Sequence, residues 1–356
     1  MRITPTLGGD PEIFVIDAEK NVKSASEFLK RDLTVGGGTI AKDGLQIELH
    51  PAYATCRETF AANVGSLIAH TYLTLNNANL SMSQGSTIKV DQKKLESLPK
   101  EVQELGCEPD RSAYSGKVKV LEIDGSKHFK RYAGGHIHFG SSDGRQDSIK
   151  SQLHDHVDEI IRLMDYMVGL PWVLIDHNEE NAERRKVYGQ AGSYRIQPHG
   201  IEYRVLPNSW IVDPIFLSLV FLLGRSALYI SSPQSHQGNP ITLSSFEKII
   251  PAKDVEDVIN TNDVEKAEAL FKIIGTLMLQ IIGPGRSNYL NADVLNLMMY
   301  FSQHYDESPI HKSMISNWQI SKDGSVGNAR GIQSFVENGD KLTQKMRKDK
   351  SFQTFK

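Results

Sequence analysis

"RYAGGHIHFG", residues 131–140, sets two histidines two positions apart inside an apolar run, directly behind a glycine pair. In a β-strand, side chains two apart point to the same face, their Cα atoms roughly 6–7 Å apart. The spacing turns His136 and His138 one way and Ile137 and Phe139 the other. Three more stretches share the habit. "GGDPEIF" puts Asp10 and Glu12 two apart. "LQIELHP" sets Glu48 and His50 against Leu45, Ile47 and Leu49, and "GIEYRVL" sets Glu202 and Arg204 against Ile201, Tyr203 and Val205. Each strand offers a polar face backed by an apolar one that packs on helices. Solvent-facing strands are usually mixed and rich in Lys, Thr and Ser, whereas these faces hold acids, imidazoles and a guanidinium and no lysine. Carboxylates converging in one sheet need a cation between them. An oxygen-dominated donor set suits Mg²⁺ or Mn²⁺ better than Zn²⁺.

The whole chain sets the frame for that site. Its 356 residues allow one large domain or two ordinary ones, and 39% hydrophobic with 23% charged residues reads as soluble and globular. A net charge of -3 gives no basic bias toward nucleic acid or anionic membrane. "DPIFLSLVFLLGRSALYI" is the most apolar run, but Asp213, Ser218 and Arg225 interrupt it, and it reads as a buried helix. The N-terminal stretch lacks a signal-peptide core, and Cys56 and Cys107 are too few for a disulfide framework or a cysteine zinc site. A reducing cytoplasm is the expected setting.

Along the chain, "PEIFVID", "LQIELHP", "STIKV" and "KHFKRYAGGHIHFG" read as strands, and "VGGGTIAKDG" as a glycine-rich loop. "TCRETFAANVGSLIAHTYLTL" has helical periodicity, with Thr55 and Glu58 spaced as a capping box. Residues 91–116 read mostly as loop. "SIKSQLHDHVDEIIRLMDYMVGL" predicts an amphipathic helix ending at Pro171, and "GSYRIQPHGIEYRVLP" a hairpin. Residues 213–356 are mainly helical, with loops around "SSPQSHQGNP" and "GPGRSN" and a basic C-terminal tail. Strands and helices without βαβ regularity predict an α+β fold with an antiparallel sheet. The expected division is a catalytic domain over 1–235 and a mainly helical extension over 236–356.

Arg184, Arg185, Lys186 and Arg195 cluster just before and within the hairpin. Guanidinium forks beside a carboxylate–metal face are what a polyphosphate needs, as neutraliser and clamp. The glycine loop could bring backbone amides to a phosphate, with Lys42 nearby, although it lacks a P-loop's GKS or GKT ending.

The order of these motifs resembles the glutamine synthetase-like carboxylate–amine ligases, and most closely the phage-type COOH–NH2 ligases (amidoligases, type 2). The motifs are "DPEIF", "GLQIELHP", "GGHIHFG" and the hairpin "YGQAGSYRIQPHGIEYRVLPNSW", within roughly residues 7–230. The resemblance implies a glutamine synthetase-like antiparallel core. It also implies that Asp10, Glu12, Glu48, Glu202 and His136 are metal ligands, and that His138 faces nucleotide phosphate. Arg204 matches the arginine after the last glutamate, and Arg195 an upstream substrate or phosphate arginine. Arg204, Arg195 and Glu202 are therefore the expected catalytic residues, and His138, Arg184, Arg185 and Lys42 the nucleotide-binding ones. Glutamine synthetase has Arg-x-Glu-x-Arg on its last strand where this chain has Gly200, a gap that Arg184, Arg185 or Arg195 could fill.

The chemistry implied is ATP-dependent activation of a carboxylate with two or three Mg²⁺ ions, Mn²⁺ being an alternative. An amine then forms an amide or isopeptide bond. The partners are carboxylate- and amine-bearing substrates, peptides and proteins among them. Two rivals stand beside this reading. A His-x-His/Glu metal hydrolase or Fe(II) oxygenase would need a third histidine, for which His199 is the local candidate. A phage structural protein could keep the fold without the chemistry.

Overall fold

A computed structural model describes residues 6–103, 110–119, 125–140, 153–231, 241–281, 290–327, 348 and 354–355. Its strands are β1 (Thr6–Gly9), β2 (Glu12–Ile16), β3 (Val22–Lys23), β4 (Leu33–Val35), β5 (Gly38–Asp43), β6 (Gln46–Pro51) and β7 (Ser81–Ser83). They continue as β8 (Thr87–Lys89), β9 (Asp110–Ser112), β10 (Val118–Lys119), β11 (Lys130–Tyr132), β12 (Ile137–Gly140), β13 (Ser193–Gln197) and β14 (Gly200–Tyr203). One six-stranded sheet runs β1-β12-β14-β13-β9-β10 and a second runs β3-β2-β6-β5-β4 with β7 also on β2, while β8 and β11 pair separately. The pairings between these strands are all antiparallel. The α+β expectation holds.

The alternation read from "GGHIHFG" holds too. Ile137 and Phe139 are fully buried in the core, as are Ile201, Tyr203 and Val205, while His138 stands on the opposite face. The longer helices are α1 (Arg57–Asn77), α2 (Val157–Met164), α3 (Leu170–Ile175), α4 (Glu179–Arg185), α5 (Pro214–Ser231), α6 (Ala252–Thr261), α7 (Val264–Met278) and α8 (Ala292–Gln303). The apolar helix α5 is buried along most of its length and packs on the first sheet. A Cβ at Gly224 would lie 3.1 Å from Phe139 Cζ, so glycine lets helix and sheet approach. Helices α6–α8 join the same apolar core.

Several local expectations change. The four polar strand faces do not share a sheet: β12 and β14 lie in the first, β2 and β6 in the second. The chain crosses between sheets at Asp10–Pro11, where Asp10 N donates to His136 O (3.3 Å) and Glu12 N to Gly134 O (2.9 Å). Pro11 has no N–H for a ladder bond, which suits it to the crossing point. The glycine-rich "loop" is a hairpin, β4 paired with β5 around Gly36–Gly37. Gly37 has φ of 101°, and a Cβ at Gly38 would lie 2.1 Å from His50 O. Those glycines serve a tight turn and close strand contact.

Helix α1 starts at Arg57 with Cys56 as N-cap, so the Thr55–Glu58 box does not form. Pro171 does not end its helix: a π-helical turn at Asp165–Gly169 precedes it and Pro171 stands in the first turn of α3. Residues 92–97 and 100–103 are short helices and 110–112 is strand, where mostly loop was expected. The start of the amphipathic helix (148–152), Cys107, the loops at 232–240 and 283–288 and most of the basic tail lie outside the described residues.

Candidate functional site

The sheet junction gathers two ligand groups. Asp10, His136 and Glu202 form one, and Glu12, Asp43 and Glu48 the other; within each, the ligand atoms lie within 4.8 Å of one another. Strand register explains the first. His138 is paired with Glu202, which is paired with Arg195, so all three share the polar face. His136 precedes β12 by one residue, and its Nδ1 faces Asp10 Oδ1 at 3.0 Å and Glu202 Oε1 at 3.1 Å. His138 Nε2 meets the other Asp10 oxygen at 3.1 Å. In the second group Glu12 is directly opposite Glu48, and Ala41 is opposite Glu48 on the other side. Asp43, two residues beyond Ala41 on β5, shares that face. Glu12 Oε2 accepts from Gly134 N (2.6 Å) and Gln46 Nε2 (2.8 Å), fixing its carboxylate at the junction.

Electrostatics differ between the groups. Burial pushes Asp10 and Glu202 up, but His136 together with His138 at Asp10, and with Arg204 at Glu202, outweighs it. Both carboxyls end below the usual carboxylate range. Burial and Arg204 oppose charge on His136, yet Asp10 and Glu202 hold its pKa up to about 9. Glu12 moves the other way: burial, with the charges of Asp43 and Glu48 adding, raises it to about 7 despite His136. Asp43 is raised by burial and by Glu48. His50 Nε2 pairs with Glu48 Oε2 at 2.8 Å, yet Glu12 and Asp43 still resist ionisation.

The donor sets fit divalent cations. Asp10 Oδ1 is buried without a hydrogen bond, and one imidazole hydrogen cannot serve both Asp10 and Glu202. A cation among His136 Nδ1, Asp10 and Glu202 would satisfy the orphaned Asp10 oxygen, and one among Glu12, Asp43 and Glu48 would offset their repulsion. All-carboxylate ligation suits a hard ion such as Mg²⁺. Asp43 was missed from sequence because it sat in what read as a glycine loop.

Arginines border the first group. Arg204 is buried, donates to Glu202 Oε1, approaches Asp110 Oδ1 at 2.8 Å through Nε, and reaches Tyr188 Oη at 3.2 Å through Nη2. Arg195 Nε lies 3.4 Å from the same Asp110 oxygen, so one carboxylate gathers both guanidiniums. Gln197 Nε2 donates to Glu202 Oε2 at 2.5 Å.

Three expected nucleotide-binding residues are not on this face. Arg184 and Arg185 are fully buried on α4, and they donate to Val205 O (2.6 Å) and Ile259 O (2.9 Å). They tie helices to the sheet from within; helical spacing turned them inward. Lys42 is exposed, pairs with Ile47, and its Nζ donates to Lys30 O at 3.3 Å, so the pleat aims it away from Glu48. Of the arginines weighed for the gap at Gly200, Arg195 is the one that lies beside Arg204. His199 stacks on His138, its Nε2 3.1 Å from His138 Nδ1, and lies outside the His136 group that an iron triad would need.

Comparison with known proteins matches residues 110–244 to the family described as Phage phiEco32-like COOH.NH2 ligase-type 2. The resemblance read from the motifs thus holds over that stretch, which contains His136, His138, Arg195, Glu202 and Arg204; Asp10, Glu12, Asp43 and Glu48 precede it. No curated protein matches the chain in sequence. Among solved structures it is similar to a bifunctional glutathione synthetase from Pasteurella multocida, with a TM-score of 0.48 and 11% identity. That similarity covers 97% of this chain and 52% of the other, so the chain spans about half the length of that protein. It is also similar to a glutamate–cysteine ligase from Francisella tularensis in complex with AMP (TM-score 0.41, 11% identity, covering 99% and 91% of the two chains).

Proposed function

We propose that this protein is an ATP-dependent carboxylate–amine ligase that forms an amide or isopeptide bond through an acyl phosphate. The observation that carries the reading is the pair of ligand groups at one sheet junction, flanked by Arg204 and Arg195. The family match over residues 110–244 supports the reaction class. Two or three Mg²⁺ or Mn²⁺ ions, when bound, would supply charge neutralisation and alignment for the ATP phosphates and the acceptor carboxylate.

The chain's own residues divide the remaining work. Asp10, His136 and Glu202 would hold one ion, and Glu12, Asp43 and Glu48 a second. His138 reaches toward nucleotide phosphate from the strand position beside the ligands. Arg204 and Arg195, held in place by Asp110, stabilise charge on the phosphoryl group and on the tetrahedral oxyanion. A carboxylate oxygen attacks the γ-phosphorus and the bond to the ADP oxygen breaks. The amine nitrogen then attacks the acyl carbon, phosphate leaves with that carboxylate oxygen, and the nitrogen loses a proton. Any carboxylate and amine the cytoplasm offers, peptides included, fit this scheme.

ADP release with ATP, Mg²⁺ and an acceptor mixture tests the reading. Glu12→Ala and Glu202→Ala should fold yet fall below about a tenth of wild-type turnover, a barrier rise above roughly 1.4 kcal/mol. Either variant retaining more than that removes its residue from the mechanism.

A further inference from the structure

Tyr188, in the segment between α4 and β13, was not singled out by the sequence and takes no part in the scheme above. Its hydroxyl lies against His136 Nε2, the ring nitrogen remote from the ligand group, and accepts from Arg204 Nη2 at 3.2 Å. The ring sits edge-on to His136, with centroids 5.5 Å apart and planes at 81°. The guanidinium carbons of Arg204 and Arg184 lie 5.4 and 5.6 Å from its centroid. Tyr188 N donates to Arg184 O at 2.7 Å, so the end of α4 fixes the ring. The buried, non-catalytic Arg184 thereby becomes the support on which this tyrosine rests.

We propose that Tyr188 is a positioning residue whose hydroxyl orients both His136 and Arg204 for the metal site; this rests on the metal-ligand reading above. A histidine ligand can rotate and can carry its hydrogen on either nitrogen. A partner at the remote nitrogen fixes both choices. With Nε2–H donated to Tyr188 Oη, the Nδ1 lone pair points between Asp10 and Glu202. The same oxygen receives Arg204, so ligand and phosphoryl-facing cation are set against each other by one atom. The glycine pair of "GGHIHFG" belongs to this device. A Cβ at Gly134 would lie 2.5 Å from His136 Nε2 and 2.8 Å from Tyr188 Oη, inside their contact.

The test is Mn²⁺ binding without nucleotide, read as free Mn²⁺ by electron paramagnetic resonance, in wild type, Tyr188→Phe and Gly134→Ala. Phenylalanine keeps the ring and its arginine contacts and removes one oxygen. The expected result is two binding classes in wild type, with one of them weakened about 10–100-fold in Tyr188→Phe and the other unchanged. A small change in thermal midpoint would accompany it, separating positioning from folding. If Tyr188→Phe fails to fold, Gly134→Ala is expected to weaken the class that contains His136 by more than the other, because it retains the hydroxyl and pushes it off His136. Wild-type Mn²⁺ affinity in both classes of a folded variant overturns the role of Tyr188. A wild-type protein that binds no Mn²⁺ overturns the metal reading itself.

Discussion

Asp165 offers a quantitative test of how the site's scaffold is built. It is fully buried in the π-helical turn, and its Oδ1 accepts a hydrogen bond from Tyr203 Oη at 2.7 Å, next in the chain to Glu202 and Arg204. Burial raises its pKa from 3.8 to about 7, while Tyr203, Tyr114 and the charge of Arg185 only partly oppose the rise. Between those two values the folded protein holds a proton that the unfolded chain has released. The stability this one carboxyl contributes is therefore full below about pH 4 and falls by about 1.4 kcal/mol per unit as pH rises to 7. The loss sums to about 4 kcal/mol, a large share of a typical domain's stability. Asp165→Asn cannot ionise and should lack this component whatever its absolute stability. Urea unfolding at pH 5, 6, 7 and 8 can be followed by Trp172, Trp210 and Trp318, all of which are fully buried. The wild-type-minus-variant difference should shift against wild type up to pH 7 and then level off. Parallel profiles for the two proteins would refute the reasoning.

Three further outcomes are expected. Ile137→Asp places a charge in the core and should unfold the protein or cost several kcal/mol, whereas His138→Ala should leave the melting temperature nearly unchanged; equal melting of the two would reverse the strand phase. Asp43→Asn should weaken one class of Mn²⁺ site and spare the one that contains His136, as equilibrium dialysis would show. Lys42→Ala should change the KM for ATP less than about twofold in an ADP-release assay, and a tenfold rise would return Lys42 to the nucleotide site.

The parts legible in the sequence were those governed by the two-residue period. His138 and Glu202 share a face by strand register, His136 and Arg204 continue it one residue beyond β12 and β14, and buried Ile137 and Phe139 fix its phase. Asp43 and Asp110 were not legible, because their places depend on β5 folding back as a hairpin and on β9 pairing with β13. Tyr188 is set by a tertiary contact across the glycine pair, which leaves no periodic trace. Arg184, Arg185 and Lys42 were misplaced for a related reason. Their charge is legible in the sequence but their orientation is not: the turn of α4 and the pleat of β5 point these side chains away from the carboxylates.

The central claim is that the two ligand groups hold divalent ions for a nucleotide. The most direct measurement is ADP binding by calorimetry in Mg²⁺ and in EDTA, with wild type, Glu12→Ala and Glu202→Ala. Wild type is expected to bind ADP only with Mg²⁺ or Mn²⁺, and both variants to lose this binding. Metal-independent ADP binding, no binding under any condition, or a preference for Fe²⁺ without nucleotide would contradict it.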